Sequence, residues 1–365
     1  IMFCERCLTA HQHYQVPKKD LFPKTYHYRS RFTADVLDGM AALVDSCEQQ
    51  FGALANKTVL DIGCNDGSLL DFFEKKGATT VGIEPTGAFL DAEKKGHAVY
   101  NDFLSVEVAN KIAEAHGAPD FITFTNVFAH IENLHEVLDS LRALMGSNTV
   151  IVIENHYLGA VLDRNQFDTF YHEHPRTYSY TSFTYMAESL GLGLLGVEFP
   201  SRYGGNIRVF MGRNDSSGRG VENKERLEAR ERQFLQDFSD MATHIEKWKK
   251  SKKEAILKLV EKTGKLRAKA FPGRAAILVK LLGLDESLIS AVYEKPGSLK
   301  IGHYLPGTRI PILSDQELIE EHDKSKPLLN LAWHIPDEIR RYMRELGYEG
   351  EIIDIFGEDE FSSVD

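Results

Sequence analysis

The chain has 365 residues, of which 42% are hydrophobic and 27% are charged. This apolar content excludes a mainly disordered chain, and no apolar run approaches the roughly 20 residues of a membrane-spanning helix. The 43 basic and 54 acidic residues give a formal net charge of −11, which argues against a nucleic-acid-binding surface. Because the first residues carry Cys, His and Lys in place of an apolar signal segment, we expect a cytoplasmic protein of two or three domains.

The first segment, 1–23, contains Cys4 and Cys7 in a CxxC spacing that commonly supplies two zinc ligands. It has no clear helical or strand period and little core of its own, so it would need a metal to hold it. His11 and His13 could complete a set of four ligands, or a partner pair could precede this chain. A pair of reduced, unliganded cysteines on a terminal arm is the alternative. We predict a partial zinc-binding lobe.

From about residue 35 to residue 213, strand-like apolar runs alternate with helix-like segments, which predicts a parallel α/β sheet. In its sharpest stretch, 58–62 is a strand, 63–67 is a small-residue turn and 68–75 is a helix. The glycines let the backbone approach a ligand beside the free N–H groups of the helix. The spacing is GxxxG, whereas dinucleotide binders have GxGxxG, so a pyrophosphate cradle is less favoured.

Polar residues follow the successive strands of this region. Glu84 ends the second strand, about 20 residues past the glycine turn, where a carboxylate suits a ribose diol. Asp102 and Phe103 follow the third strand and suit the amine and the ring of adenine. These elements predict an S-adenosylmethionine (SAM) pocket of the class I methyltransferase kind, and a Rossmann-like domain with another nucleotide is the alternative. The predicted cofactor-binding residues are Asp61, Gly63, Asn65, Gly67, Glu84, Pro85, Asp102, Phe103 and Asn126.

A dense polar cluster at 171–178 contains two His, one Glu, one Arg and two Tyr. His172 and His174 are two residues apart and Pro175 ends any helix, so a metal site of the HExxH type is disfavoured. General acid–base chemistry is the better interpretation, because histidine titrates near neutrality and a carboxylate can orient it. A solvated loop is the alternative. Farther on, Arg208 follows a glycine turn, where it could bind a phosphate or carboxylate or form a structural ion pair.

Residues 221–268 mix charges of both signs with apolar residues at helical spacing, which predicts one or two amphipathic helices whose apolar stripe serves packing. An α/β pattern returns at 265–356, with a helix-like run at 274–282 after a Pro-Gly turn. Its strand-like runs are 266–271, 290–293, 309–313, 328–333 and 351–356. We therefore predict a second Rossmann-like domain. The loop 304–308 beside His303 is either a substrate contact or a plain turn.

These motifs resemble those of the zinc-containing, SAM-dependent sugar C-methyltransferases, which install the C-3 methyl branch on nucleotide-linked deoxysugars. The similarity runs through nearly the whole chain, and the Tyr-His-Glu-His motif at 171–174 is the most diagnostic. The other matching motifs are 4–8, 21–30, 61–67, 82–85, 127–131, 203–208 and 302–308. Two departures stand out. The family's first cysteine pair is absent from this chain, and a Lys-Gly pair that usually follows the glycine turn is replaced in the run 273–279.

The resemblance implies an α/β protein with a class I SAM methyltransferase (Rossmann-like) domain, a small N-terminal zinc-binding lobe and a second C-terminal Rossmann-like domain. We expect the lobe at 1–23, the methyltransferase domain at 24–215, a helical linker at 216–268 and the C-terminal domain at 269–365. By the same resemblance, the C-terminal domain helps to bind the nucleotide-sugar. The substrate would be a 4-keto-6-deoxy sugar nucleotide, most often on dTDP.

The expected chemistry follows from the acidity of a C–H bond beside a ketone, whose carbanion is delocalised into an enolate. A base must remove the proton and donors must stabilise the enolate oxygen. We assign His174 as the base, oriented by Glu173, and we expect Tyr171, His130 and Tyr28 to hold the ketone oxygen or neighbouring hydroxyls. The predicted substrate-binding residues are Tyr26, His172, Arg176, Tyr178, Asn206, Arg208 and Tyr304.

The expected cofactors are SAM and Zn²⁺, the latter bound by Cys4 and Cys7. The expected partner is a small-molecule nucleotide-sugar, with no nucleic acid and no membrane, and the chain would be a monomer or a weak oligomer. Two other functions stay open. One is an O- or N-methyltransferase acting on a related sugar nucleotide, and the other is a non-catalytic SAM-binding protein.

Overall fold

A computed structural model describes residues 1–26, 28–213, 221, 223–320, 325–357 and 360. The chain forms two compact units, the first from 1–161 and 172–235 and the second from 162–171 and 236–365. The mixture of strands and helices in both units confirms the predicted α/β class. The predicted boundary between 215 and 216 falls within 214–220, outside the described residues, and the predicted domain limits stay predictions.

The first unit contains both strands and helices along its length. Its strands are β1 (Met2–Cys4), β2 (Thr9–His11), β3 (Thr58–Ile62), β4 (Thr79–Ile83), β5 (Ala98–Tyr100), β6 (Phe121–Thr125), β7 (Val150–His156), β8 (Arg176–Thr177), β9 (Gly193–Glu198) and β10 (Asn206–Gly212). Its helices are α1 (Lys18–Leu21), α2 (Ala34–Phe51), α3 (Ser68–Lys75), α4 (Phe89–Lys94), α5 (Val106–His116), α6 (Leu134–Leu144), α7 (Leu158–Asp163), α8 (Tyr180–Ser189) and α9 (Lys224–Glu231), of which α7 continues into the second unit.

The main sheet has the strand order β5-β4-β3-β6-β7-β10-β9. The first five strands are parallel, and β10 is antiparallel to both β7 and β9. Strands β3 and β4 and helix α3 begin and end where the sequence predicts them. Four of the five residues of β3 are buried, because both faces of a parallel sheet are covered. The strand order reverses between β3 and β6, and ligands bind outside the carboxyl ends of strands at such a point.

A separate three-stranded sheet has the order β1-β2-β8. Strands β1 and β2 form an antiparallel hairpin around the CxxC turn, and β2 continues the sheet by pairing Ala10 with Thr177 of β8. The sequence shows no strand period in this segment, because three-residue strands are too short for an alternation to be read. The hairpin is therefore a feature that the sequence does not predict.

The second unit contains a parallel sheet with the order β13-β12-β11-β14-β15, which confirms the predicted second Rossmann-like pattern. Its strands are β11 (Leu266–Lys269), β12 (Ile289–Glu294), β13 (Ile312–Ser314), β14 (Leu328–Asn330) and β15 (Ile352–Asp354). Its helices are α10 (Phe234–Thr263), which begins at the end of the first unit, α11 (Ala275–Leu282), α12 (Asp315–Glu320) and α13 (Pro336–Glu345).

Helices α9 and α10 confirm the predicted helical segment between the two α/β regions. Phe234, Met241, Trp248 and Ile256 of α10 are buried, so its apolar stripe serves packing as the spacing predicts. Within the part of the chain that the structure describes, no helix combines the length and the apolar character that crossing a membrane requires.

A buried ion pair joins β7 to β10. Their register places Arg208 opposite Glu154, and the Nε atom of Arg208 donates to Glu154 Oε2 at 2.7 Å. Glu154 is fully buried and also accepts a hydrogen bond from Asn206 Nδ2 at 3.0 Å. The Nη1 atom of Arg208 donates to Glu198 Oε2 at 2.7 Å and to Ser46 Oγ at 2.9 Å. Arg208 therefore forms a structural ion pair, which is one of its two predicted roles.

We expect Arg208→Met to lower the free energy of unfolding by about 3 kcal/mol, because it removes the nearer of the two arginines that pair with the buried Glu154 carboxylate and leaves Arg202, at 3.3 Å, as its remaining cation. Urea denaturation of both proteins measures the difference. Arg142→Met is the matched control, since that side chain is 48% exposed and its loss should cost about 0.5 kcal/mol or less. An unchanged stability together with a raised KM would instead assign Arg208 to the substrate.

Candidate active site

The carboxyl end of β3 leads into a tight turn before α3. Gly63 and Gly67 both have φ of +74°, and Asn65 has φ of +52°. These values lie in the left-handed region, which glycine enters freely and asparagine tolerates. A Cβ atom at Gly63 would lie 2.6 Å from Cγ2 of Val127, so this position has room only for glycine. The turn that the sequence predicts is therefore formed, with its backbone closely packed at the sheet edge.

Several N–H groups of this turn donate to the neighbouring strand end. Gly63 and Cys64 donate to the carbonyl oxygen of Ile83 at 2.8 and 3.0 Å. The N–H of Asn65 donates to Glu84 Oε2 at 3.0 Å. These three donors are not available to an anion, so the turn is poorly suited to cradle a pyrophosphate. The GxxxG spacing likewise disfavours a pyrophosphate cradle.

Two buried carboxylates lie at the ends of β3 and β4. Asp61 is 3% exposed and accepts a hydrogen bond from the Thr123 hydroxyl at 2.7 Å. Burial raises the pKa of Asp61 to about 7, and the negative charge of Glu84 adds to the rise. Glu84 is also buried and accepts from the Thr86 N–H at 2.8 Å. A cationic ligand would relieve the cost of ionising Asp61, and SAM carries positive charge on its sulfonium and amino groups.

The third and fourth strands supply the remaining predicted cofactor-binding residues. Asp102 is exposed after β5, and its Oδ1 accepts the Phe103 N–H at 2.8 Å. Asn126 follows β6 with φ of +55°, and its Oδ1 atom is buried without a hydrogen-bond partner among the described residues. An amide oxygen in this state can accept a hydrogen bond from a bound ammonium group. Eight of the nine predicted cofactor-binding residues thus follow the carboxyl ends of four neighbouring strands, and the ninth, Asp61, is the last residue but one of β3.

The tyrosine-rich segment 24–31 is bonded to the glycine turn. The Ser30 N–H donates to Asn65 Oδ1 at 3.0 Å, and Asn65 Nδ2 donates to the Tyr28 carbonyl oxygen at 3.2 Å. Burial raises the pKa of Tyr26, and the nearby charges of Glu173 and Glu84 contribute to the rise. The Tyr26 phenol therefore stays a protonated donor near neutral pH, close to both the carboxylates and the polar cluster.

Three histidine rings lie near one another beyond β6 and β7. The ring centroid of His174 is 5.1 Å from that of His130 and 5.4 Å from that of His156. The Nδ1 atom of His130 lies 2.6 Å from the Glu173 carbonyl oxygen. A carbonyl oxygen only accepts, so Nδ1 of His130 carries the proton. The structure thus brings together His130, Glu173 and His174, three of the predicted catalytic residues.

The protonation state of this cluster suits proton abstraction. Burial lowers the pKa of His130, although the hydrogen bond to the Glu173 carbonyl opposes that effect. His130 is therefore neutral near pH 7, and the Tyr26 phenol beside Glu173 is protonated. A neutral imidazole with nearby hydrogen-bond donors can remove a C–H proton next to a carbonyl and stabilise the charge that develops on oxygen.

Other predicted substrate-binding residues of the first unit have protein partners. The half-exposed His172 ring has its Nε2 4.0 Å from Glu173 Oε1. Arg176 Nη1 donates to the Ile131 carbonyl oxygen at 2.6 Å. The Tyr178 ring is buried, with its centroid 5.3 Å from the Phe183 ring. Asn206 and Arg208 hold Glu154, as described above, and a role of these residues in substrate binding stays a prediction.

Two predicted site residues, Tyr171 and Tyr304, belong to the second unit. The Tyr171 N–H donates to the Thr169 carbonyl oxygen at 3.0 Å, and the Tyr304 side chain is 55% exposed beside Arg309. Between Tyr171 and His172 the chain passes from the second unit to the first. Their roles toward substrate also stay predictions.

Asn155 and His156 are residues to which sequence reasoning assigns no role. Asn155 is 1% exposed, and neither polar atom of its side chain has a hydrogen-bond partner within the described ranges. The His156 ring lies near His174, as given above. The available signal is that both are the last residues of a buried strand whose carboxyl end lies at the ligand-binding edge of the sheet.

The CxxC turn connects β1 to β2 and is closed by a 2.7 Å hydrogen bond from the Leu8 N–H to the Cys4 carbonyl oxygen. A hydrogen bond from the Cys7 backbone lowers the pKa of the Cys4 thiol, whereas burial raises that of Cys7. These neighbouring thiols fit two positions of a tetrahedral zinc site. His11 and His13 do not join them in a group of three, so the complete four-ligand set is not formed by the described residues.

One group of three side chains that could hold a metal occurs among the described residues, formed by Asp71, Glu74 and His97. Asp71 already accepts from Lys95 Nζ at 2.7 Å and faces His97 Nε2 at 3.0 Å. The other ring nitrogen of His97 lies 2.8 Å from the Thr80 hydroxyl. This network accounts for the cluster as an ion pair and hydrogen bonds.

Two family models match the chain. Residues 27–196 match a model described as "Methyltransferase domain", and residues 201–353 match one described as "C-methyltransferase C-terminal domain". The chain is similar to the C-methyltransferase NovU of Streptomyces niveus, with 28% identity over 345 residues that span 93% of this chain and 81% of that protein. It is also similar to the ubiquinone biosynthesis O-methyltransferase of Histophilus somni, with 32% identity over 28% of this chain and 47% of that protein.

Similar solved structures include a SAM-dependent methyltransferase from Anabaena variabilis, with 18% identity, coverage of 49% of this chain and 86% of that chain, and a TM-score of 0.40. The strand order and the family matches carry the fold assignment, which is the Rossmann-like fold of class I SAM methyltransferases. Together with the match to a C-methyltransferase over most of its length, these findings show that the chain is a methyltransferase and support SAM-dependent C-methyl transfer.

Proposed function

We propose that this methyltransferase transfers the methyl group of SAM to the carbon beside the ketone of a 4-keto-6-deoxy nucleotide-sugar, at C-3 and most often on dTDP. The observation that carries the proposal is the cluster of His130, Glu173 and His174 in the same unit as the buried carboxylates of the sheet edge. Proton abstraction from carbon is the chemistry that distinguishes C-methylation from simple alkylation of a heteroatom.

The site residues have two roles in this reaction, which are to remove a proton and to stabilise the resulting enolate. His174 takes the proton as general base, and Glu173 orients or polarises it. Tyr26, as a protonated phenol, and His130, through its neutral ring, are suited to bind the ketone oxygen or the hydroxyls beside it. Tyr28 and Tyr171 are the further proposed donors, and positioning of the enolate carbon supplies much of the remaining rate.

The cofactor would be held by residues at the ends of β3 to β6. Asp61 and Glu84 provide negative charge, Glu84 also suits the ribose diol, and Asn126 Oδ1 offers an acceptor to the ammonium group. When bound, SAM supplies an electrophilic methyl group on a sulfonium leaving group. Cys4 and Cys7 would hold two positions of a structural Zn²⁺ ion, which takes no part in the transfer. The proposed location is the cytoplasm.

Two alternatives are weaker. An O- or N-methyltransferase would need no base for a carbon acid, and the O-methyltransferase relative covers 28% of this chain, against 93% for the C-methyltransferase. A non-catalytic SAM-binding protein would have no use for the paired imidazoles of His130 and His174.

We expect the affinity for SAM to rise about tenfold between pH 6 and pH 8, because ionised Asp61 attracts the cation and its pKa in the free protein is about 7. Calorimetric titration with SAM measures this dependence, and Asp61→Asn should remove it. Asp120→Asn is the matched control, since Asp120 pairs with Lys57 and accepts from the first residue of β3 at the opposite end of that strand. A wild-type affinity that is flat across this range would contradict the role of Asp61.

We expect the enzyme to exchange the proton beside the ketone with deuterium from solvent, and to methylate that carbon when SAM is present. His174→Gln should lower methyl transfer at least about hundredfold and suppress the exchange, while SAM binding is retained. Mass spectrometry of 4-keto nucleotide-sugars incubated in D₂O measures both reactions. His135→Gln, an exposed histidine on α6, is the control. Near-normal turnover of the His174 variant would refute the base, and methylation without exchange would favour a heteroatom acceptor.

A further inference from the structure

Strand β8 directly follows the segment 172–175, which contains the proposed base, and it also belongs to the three-stranded sheet of the CxxC hairpin. Strand β8 begins two residues after His174, and it pairs with β2 through Ala10–Thr177 and His11–Arg176. One further bond runs from the Gln12 N–H to the Pro175 carbonyl oxygen at 2.9 Å. The backbone pairing of the hairpin therefore reaches the residue next to the proposed base.

A line of hydroxyl groups makes a second connection between the same elements. Thr9 Oγ1 lies 2.8 Å from Ser182 Oγ, and both side chains belong to buried residues. Ser182 Oγ also lies 2.9 Å from Ser179 Oγ, with which it forms the capping box of α8. In the other direction, Ser182 Oγ donates to the Cys7 carbonyl oxygen at 3.0 Å. The N-terminus of α8 and the CxxC turn are thus tied through two side chains.

The opposite side of the segment is held by the loop after β6. His130 donates to the Glu173 carbonyl oxygen at 2.6 Å, and Arg176 donates to the Ile131 carbonyl oxygen at 2.6 Å. Residues 172–175 lie outside the helices and strands, so bonds to these two neighbours contribute to where they lie. A change of the hairpin would therefore move Glu173 and His174 relative to His130.

We propose that the CxxC hairpin, 2–11, is a positioning element for the catalytic segment 172–175, and that Thr9 and Ser182 are its positioning residues. The inference rests on the proposed function in so far as His174 is the base. Neither Thr9 nor Ser182 touches the reacting atoms. Their hydrogen bond ties the N-terminus of α8 to the hairpin, whose strand β2 pairs with β8. A displacement of a catalytic group by about 1 Å can cost up to about a hundredfold in rate.

The test is Thr9→Val in the full chain, which removes the hydroxyl with little change of volume. We expect kcat for methyl transfer to fall on the order of tenfold, while the SAM dissociation constant stays within about twofold of wild type. The NMR resonances of the His174 and His130 imidazoles should shift, and Thr9→Ser should restore both rate and resonances. Ser182→Ala breaks the same bond from the other side and should reproduce the effect.

Thr184→Val is the matched control, because the Thr184 hydroxyl donates to the Tyr180 carbonyl oxygen within its own helix. Wild-type turnover and unshifted imidazole resonances in folded Thr9→Val, or in Ser182→Ala if the first variant does not fold, would overturn the proposal. If the wild type methylates no keto-sugar nucleotide, the proposed function fails, and the imidazole resonances still test the positioning on their own.

Discussion

The parallel pairing of β3 to β7 is the constraint on which the first unit depends. Parallel strands place all their carboxyl ends at one edge, and the reversal of order between β3 and β6 opens a crevice at that edge. The glycine turn and Glu84 lie just beyond the strand ends, whereas Asp61 and His156 are in the last residues of β3 and β7. Antiparallel β10 pairs with β7, and this pairing brings Arg208 to the buried Glu154.

The two parts of this edge differ in the titratable groups that they bury. Near β3 and β4, burial of Asp61 beside Glu84 makes ionisation costly until a cation arrives. Beyond β6 and β7, burial has the opposite consequence for histidine, because it keeps His130 neutral. The same desolvation therefore prepares one part for a cationic cofactor and keeps His130, beside the proposed base His174, uncharged in the other.

The comparisons and the local geometry support different levels of the functional argument. The methyltransferase match covers 27–196, and the C-methyltransferase match covers the later part of the chain. Neither says how the acceptor carbon is activated for methyl transfer. That question is addressed by the imidazoles around His174 and by Tyr26, whose protonation suits an enolate.

The sequence by itself determined the methyltransferase fold, because strands such as β3 and turns such as 63–67 have local patterns of apolar residues and glycines. It also determined that the C-terminal region forms a second parallel sheet. Only the tertiary structure decided that the N-terminal segment is a hairpin paired with β8, that Arg208 is held by Glu154, and that Asn155 and His156 lie at the site. Such contacts join residues far apart in the chain, and no local period records them. The formal net charge of −11 is likewise a property of the sequence alone. It does not reveal that Asp61 is buried at the predicted cofactor pocket, which only the tertiary structure decides.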